Sequence, residues 1–331
     1  MWFDELTGFS EAFPQQVRKN ISVDAGEMTS LVNGAVFTCG VLETPSLAEM
    51  RRRIQAEGRP AGRIAVREVV ANVQHLHTDK ANAGALFQVA SQFNLLEMAS
   101  PNNTPEQGVA IYELDRTQGP ACAIAAGAGT IYRNYFARVN GEIGQTATNQ
   151  LDCLADVGKA LGNIDGQLWQ MRNGYALASE EGLVKITHRL QSSSDIDRDR
   201  LRDLLRIGIH WNTQVTLNES RHLVSQAYCS ALPVAYSPHS ETLWAEFAVL
   251  VLEASYEATF CAAIVNAKAS GNNTLFLTLL GGGAFGNQTD WIIHAIERTV
   301  DRYQDYPLDV AIVSYGGSHS RVRELVRRYT R

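Results

Sequence analysis

Residues 274–280 form an apolar run of strand length that leads directly into Gly281-Gly282-Gly283-Ala284-Phe285-Gly286-Asn287. A helical pattern over 291–303 and a second apolar run over 308–315 follow. Strand, glycine loop, helix and strand in that order make a βαβ unit, which sets the two strands parallel and joins them by a right-handed crossover. Parallel strands need helices on both faces, so the pattern commits the chain to an α/β fold. A glycine loop between a strand end and a helix start presents backbone N–H groups at the positive end of a helix dipole. Such a loop holds a diphosphate without needing Lys or Arg. It lacks the Lys-Ser/Thr ending of a P-loop, and it comes too late for a dinucleotide fold, whose glycine motif opens the first βαβ unit. Taken alone, the triple glycine reads equally well as a tight turn.

The rest of the 331-residue chain supplies ample apolar material, at 45% hydrophobic and 19% charged residues, for one core with additions. The net charge of −6 argues against broad nucleic-acid or anionic-membrane binding, and Arg51 to Arg53, on a helix over 47–56, read as a solvated face. Apolar runs over 64–70 and 85–90 read as the strands where the sheet begins. Residues 118–130 are small and fit a close backbone approach. Residues 149–161 read as a helix, and 168–186 as strand-like with turns at Asn173-Gly174 and Glu181-Gly182. Residues 194–206 read as an amphipathic helix with Ile196, Leu201, Leu204 and Leu205 on its apolar face. Residues 243–268 read as one long packed helix closed by the turn Ser270-Gly271-Asn272. Cys39, Cys122, Cys153, Cys229 and Cys261 are odd in number and widely spread, which predicts reduced thiols in a cytoplasmic setting and no zinc site. His75 and His77 lack a third ligand at metal spacing and read as a polar strand or loop pair, so no metal is expected. No signal-peptide pattern, no bilayer-length apolar run and no Gly-x-Ser-x-Gly turn is seen, so neither a membrane partner nor a Ser-His-Asp hydrolase is expected.

The order of segments resembles the macrodomain family, including its poly(ADP-ribose) glycohydrolase branch. Val89-Ala90-Ser91-Gln92-Phe93-Asn94 looks like the family's strand that ends in Asn before the first ligand loop, which implies Asn94 against the distal ribose. Leu223-Val224-Ser225-Gln226-Ala227-Tyr228-Cys229, followed by Pro233, looks like the strand before the family's long helix. The glycine loop is similar to the second phosphate loop, with Phe285 near the distal ribose. Val69-Val70-Ala71-Asn72-Val73 is similar to the strand end that meets adenine, with Asn72 where the family usually has Asp. The resemblance implies a three-layer α/β/α macrodomain with a mixed central sheet over 62–318. Added to it are an N-terminal accessory segment (1–61), an insertion at about 136–212 and a C-terminal tail (319–331). It also implies ADP-ribose contacts from Asn72, Val73, Gln92, Asn94, Gln118 and Gly119, and from Gly281, Gly282, Gly283, Ala284, Phe285, Gly286 and Asn287.

Release of ADP-ribose breaks the bond at the anomeric carbon of the distal ribose, where positive charge develops and water must be activated, and carboxylates are suited to both tasks. Glu97 and Asp115 flank the implied ribose region as water-positioning or ribose-binding groups. Glu106 is a weaker third that reads better as a loop carboxylate or cap, and Asp290 reads as a helix-start carboxylate. The acidic pair that follows the glycines in the glycohydrolase branch is absent, so the expectation is a cofactor-free hydrolase that removes mono-ADP-ribose from a protein. Arginine linkage, with ubiquitin as carrier, is one form it could take. A reader that only binds ADP-ribose, or another nucleotide-phosphate enzyme, shares the same glycine loop.

Overall fold

Val41–Glu43 (β1), Ala65–Val70 (β2), Leu86–Ala90 (β3), Gly208–Gln214 (β4), Leu223–Cys229 (β5), Thr274–Leu277 (β6) and Asp309–Ser314 (β7) form a 7-stranded sheet in the order β1-β4-β5-β3-β6-β7-β2. The structure, a computed structural model, describes residues 1–56, 58 and 62–330. Strands β5, β3, β6, β7 and β2 run parallel, whereas β4 is antiparallel to both its neighbours, so the sheet is mixed. The βαβ unit is present as expected: β6 and β7 pair in parallel from Thr274 opposite Asp309 to Leu277 opposite Ile312.

Alternation along β3 shows how helices cover both faces of the sheet. Phe87 stacks on His77 at a centroid distance of 3.8 Å on one face, and on the other the Gln88 amide donates to Thr259 Oγ1 at 3.1 Å. The Thr259 face carries Leu47–Ala56 (α1), Glu180–Gln191 (α4), Asp195–Leu204 (α5) and Thr289–Arg302 (α7), packed around the long helix Glu241–Ser270 (α6). The His77 face carries a short helix, Val73–Thr78, with Gln118–Ala125 (α2) and Gly127–Tyr135 (α3). The layers are therefore α/β/α, as expected.

Helix α6 contradicts the expectation that no segment is long and apolar enough to cross a bilayer: its length and hydropathy suffice. Its residues are nonetheless buried from Trp244 to Asn266 with few gaps, and it is closed by Gly271 in the left-handed region, so it is the core helix of the fold.

Other elements differ from the sequence reading for identifiable reasons. Residues 118–125 and 127–135 form two helices, and their glycines let them approach neighbouring elements closely: a methyl on Gly127 would sit 2.7 Å from the Trp2 ring, and one on Gly129 2.6 Å from Thr213 Oγ1. Glu181-Gly182 lies in the first turn of α4, capped by Ser179 accepting from Gly182 N, so the strand-like segment stops at Ala178. The helix expected over 149–161 begins only at Ala155. Ile196 is 68% exposed, and only Leu201 of the α5 residues is buried. His75 and His77 sit on the short helix, not on a strand.

Arg51 is not part of a solvated face. Its guanidinium bonds Glu257 Oε1 at 2.7 Å, Asp199 Oδ2 at 2.8 Å and Asp203 Oδ1 at 2.8 Å, joining α1 to α5 and α6. The Glu257 side chain has no exposed surface and also takes Arg298 and Arg302. The segment 1–61 carries β1 and α1, β4 begins at Gly208, and the segment 319–331 carries the helix Ser320–Tyr329. Residues 57 and 59–61, where the first domain limit is expected, lie outside the described residues. Residues 1–39 build a second core, in which Phe3, Val17, Ile21 and Met28 pack against Leu96, Met98 and the inner sides of α2 and α3.

Candidate functional site

Loops at the carboxyl ends of the parallel strands surround a cleft with two adjoining lobes, the position where open α/β sheets take ligands. The smaller lobe, about 190 Å³, lies between the loop after β3, the start of α2 and the glycine loop after β6. The larger, about 720 Å³, lies over the ends of β2 and β7. Asp115, Thr117, Gln118, Thr278 and Gly283 line both lobes, so the lobes meet at the start of α2.

The junction is lined by backbone N–H groups. In the glycine loop, Gly282 N donates to Leu279 O, Gly286 N to Gly283 O, and Asn287 N to Gly281 O, a self-bonded frame made accessible by Gly281 at φ +76° and Gly286 at φ +71°. Gly283, Ala284 and Phe285 line the cleft, and their N–H groups have no acceptor in the protein among the described residues. The same holds for the N–H groups of Gln118 and Gly119 in the first turn of α2. Unpaired amides of a loop nest and of a helix start therefore face one another across the cleft.

Glu97 lies at the floor of the smaller lobe. It is 3% exposed, its Oε1 has no partner among the described residues, and its N–H donates to Tyr112 Oη at 3.0 Å. Burial raises its pKa well above the usual carboxylate range, against the opposing pull of the Arg133 charge and of Ser91. A methyl on Gly119 would fall 2.1 Å from both Glu97 Oε2 and Ala90 O, so glycine is what lets the start of α2 close over this acid. Tyr175, Tyr236 and Phe285 meet one another at centroid distances of 5.1 to 5.6 Å and wall the far end of the lobe. Tyr175 comes from the hairpin Trp169–Arg172/Tyr175–Ala178 within the insertion, and its hydroxyl donates to Met98 O at 2.7 Å.

The structure brings together many of the expected residues but changes the part several play. Asp115 lines both lobes and accepts from Thr117 N at 2.8 Å, which shapes the approach to α2. Asn72 and Val73 line the larger lobe, and Asn72 Oδ1 accepts from Gln74 N as a helix cap. Gln118 ties α2 to β3 by accepting from Ala90 N and donating to Gln88 O, leaving only its backbone for a ligand. The Gln92 side chain braces its own loop through Met98 N and Met98 O.

Asn94 does not reach the cleft lining. It is fully buried, donates to Gln150 Oε1 and accepts from Leu96 N, so its polar atoms are occupied in holding the loop. Glu106 is also outside the cleft, where it accepts from Ala147 N. Gly282, Gly286 and Asn287 form the frame of the glycine loop, not its lining; Asn287 Nδ2 donates to Leu232 O. Asp290, in the first turn of α7, pairs with Arg321 at 2.6 Å.

Sequence reasoning missed Tyr175, Tyr236, Thr278 and Tyr315. Tyr315, 80% exposed at the end of β7, could have been found as an aromatic closing a strand beside the expected adenine site. Tyr175 carried no signal beyond its place after the Asn173-Gly174 turn.

No protein-family model and no curated protein sequence matches the chain. Several solved structures are similar in fold. One is a poly(ADP-ribose) glycohydrolase from Deinococcus radiodurans in complex with ADP-ribose, at 11% identity and a TM-score of 0.43, covering 87% of this chain and 93% of that one. Another is a poly(ADP-ribose) glycohydrolase from Thermomonospora curvata, at 11% identity and a TM-score of 0.46, covering 96% and 97%. The latter enzyme bound to the inhibitor ADP-HPD is similar at 12% identity and a TM-score of 0.44. Similarity at this level assigns no role to any residue here.

Proposed function

We propose that the chain binds ADP-ribose along the two-lobed cleft and hydrolyses the bond between ADP-ribose and a modified protein. The observation that carries this reading is the junction itself. Unpaired N–H groups of Gln118, Gly119, Gly283, Ala284 and Phe285 line a cleft whose adjoining lobes suit a nucleoside on one side and a sugar on the other. A diphosphate that links two ribosides fits a neutral, backbone-built cradle in a chain of net charge −6. Tyr315 and Asn72 offer a ring and an amide to the base, while Phe285 and Tyr236 offer apolar surface to the distal ribose.

In the proposed reaction, Glu97, whose protonated form burial favours, gives its proton to the atom leaving the anomeric carbon as the glycosidic bond breaks. Water then forms the new bond to that carbon and returns a proton to the Glu97 carboxylate. Asp115, at the meeting point of the lobes, is placed to orient the water or the ribose hydroxyls. The mono-ADP-ribosyl preference rests on the absence of an acidic pair after the glycines. Arginine-linked ADP-ribose, on ubiquitin or another carrier, is one linkage to assay beside serine- and glutamate-linked forms.

The same absence favours a second reading, a reader that binds ADP-ribose without turnover. Glu97→Gln separates the two. For the hydrolase, release of ADP-ribose from a mono-ADP-ribosylated protein should fall by about 10²- to 10⁴-fold, the usual worth of a positioned acid, with affinity for ADP-ribose retained. Wild-type binding with no release on any linkage would establish the reader.

A further inference from the structure

Beneath the floor of the smaller lobe lies a buried guanidinium that forms no ion pair among the described residues. Arg133, in α3, has no exposed surface; its Nε donates to Leu95 O at 3.2 Å and its Nη2 to Thr130 Oγ1 at 2.9 Å. The group lies over the Tyr228 ring, 3.7 Å from its centroid, and 3.4 Å from His210 Nδ1. Among the described residues, no Asp or Glu lies within ion-pair distance of it. A guanidinium does not shed its proton in a folded protein, so a full positive charge sits in the core, where charge–charge effects are least screened.

The groups packed around this charge leave one candidate to balance it. His210, on β4, is held neutral by burial and by the Arg133 charge. Tyr112, Tyr175, Tyr228 and Cys122 are pushed up by burial and stay protonated. Asp115 sits further out, at the rim where the lobes meet. Glu97 remains, fully buried, with one oxygen unpartnered. Arg133 is also tied mechanically to the loop that carries Glu97. Its Nε holds Leu95 O, and its own carbonyl accepts from Gln145 Nε2, which also donates to Asn94 O.

We propose that Arg133 is a positioning residue for Glu97: it pins the loop through Leu95 and supplies the buried positive charge against which the Glu97 carboxylate forms when its proton is given up. Its use in catalysis rests on the role proposed above for Glu97, whereas the coupling between the two groups is a property of the free protein.

The deciding experiment needs only the ligand-free full chain. Side-chain ¹⁵N resonances of the arginines are followed from mildly acid to mildly alkaline pH in the wild type and in Glu97→Gln, with Arg133 assigned by its loss in Arg133→Gln or Arg133→Lys, whichever folds. The Arg133 signals are expected to show a titration step in the wild type that is absent in Glu97→Gln. Signals that stay flat, or a step that survives in Glu97→Gln, would overturn the proposal. In turnover, Arg133→Gln is expected to move the alkaline limb of the kcat profile upward by about one pH unit, the usual effect of removing a nearby opposite charge, with KM unchanged. A purely structural role would lower kcat without moving the limb and would count against the proposal. If the resonance step is present but no ADP-ribosyl linkage is cleaved, the coupling stands and the hydrolase reading falls.

Discussion

Buried polar side chains in this protein do two kinds of work, and their hydrogen-bond partners decide between them. Glu97 and Asn94 stand three positions apart in one loop, and both looked from the sequence like ligand contacts. Glu97 keeps an oxygen unpartnered among the described residues at the cleft floor, whereas Asn94 has its polar atoms bonded to Leu96 in its own loop and to Gln150 in the insertion. Nothing in a one-dimensional string separates an amide that brackets a loop from one that faces a sugar, because the difference lies in the neighbours at Gln150 and Leu96. His77 gives a test at the same scale. Burial lowers its pKa to about 4 from 6.5, while its Nδ1 contacts Val73 O at 2.8 Å and its Nε2 meets the Gln226 amide at 3.1 Å. The folded state therefore refuses a proton that the unfolded chain accepts. The contribution is fully present above pH 6.5 and is lost as pH falls towards 4, by at most about 3 kcal/mol. Chemical denaturation across that window should show His77→Gln losing less stability than the wild type; parallel curves would mean that His77 takes up its proton as easily folded as unfolded.

Among the elements, those with a strong period were legible and those defined by partners were not. Helix α6 and the β6–α7–β7 unit were read to within a few residues because burial on one or both faces writes itself into hydrophobic spacing. Helices α2 and α3 were hidden by the glycines and the proline that let them pack closely, and α4 by Gly182 in its capped first turn. Arg51 was misread because its acidic partners come from α5 and α6, far away in sequence. Removing it leaves the buried Glu257 short of one cation, so Arg51→Ala should cost about 3 kcal/mol by urea denaturation. A loss within about 0.5 kcal/mol, as at an ordinary surface site, would restore the solvated reading. In the glycine loop the useful position is Gly283, which lines both lobes and has open space where a side chain would go. Gly283→Glu should weaken ADP-ribose binding at least tenfold, about 1.4 kcal/mol, while Tm hardly changes. Unchanged affinity would remove the loop from the site.

At the scale of the whole molecule, the main α/β/α body makes the cleft and the second core built by residues 1–39 supports it from behind, through Leu96 and Met98 next to Glu97. The larger lobe even takes part of its lining from Trp2 and Glu5, so the N-terminal segment is more than an accessory. The sequence showed a glycine loop between a strand and a helix; it did not show that the start of α2, more than 150 residues earlier, faces that loop across the cleft. That pairing is a product of the strand order, which sets β3 beside β6. The central claim is that one ligand spans both lobes with its diphosphate at their junction, and calorimetric titration of the wild-type chain with ADP-ribose, AMP and NAD tests it most directly. The account predicts one site that binds ADP-ribose selectively and more tightly than AMP, which fills only the larger lobe, and than NAD, which carries nicotinamide where the distal ribose must be free. Equal affinity for AMP and ADP-ribose, or no binding of ADP-ribose at all, would contradict it.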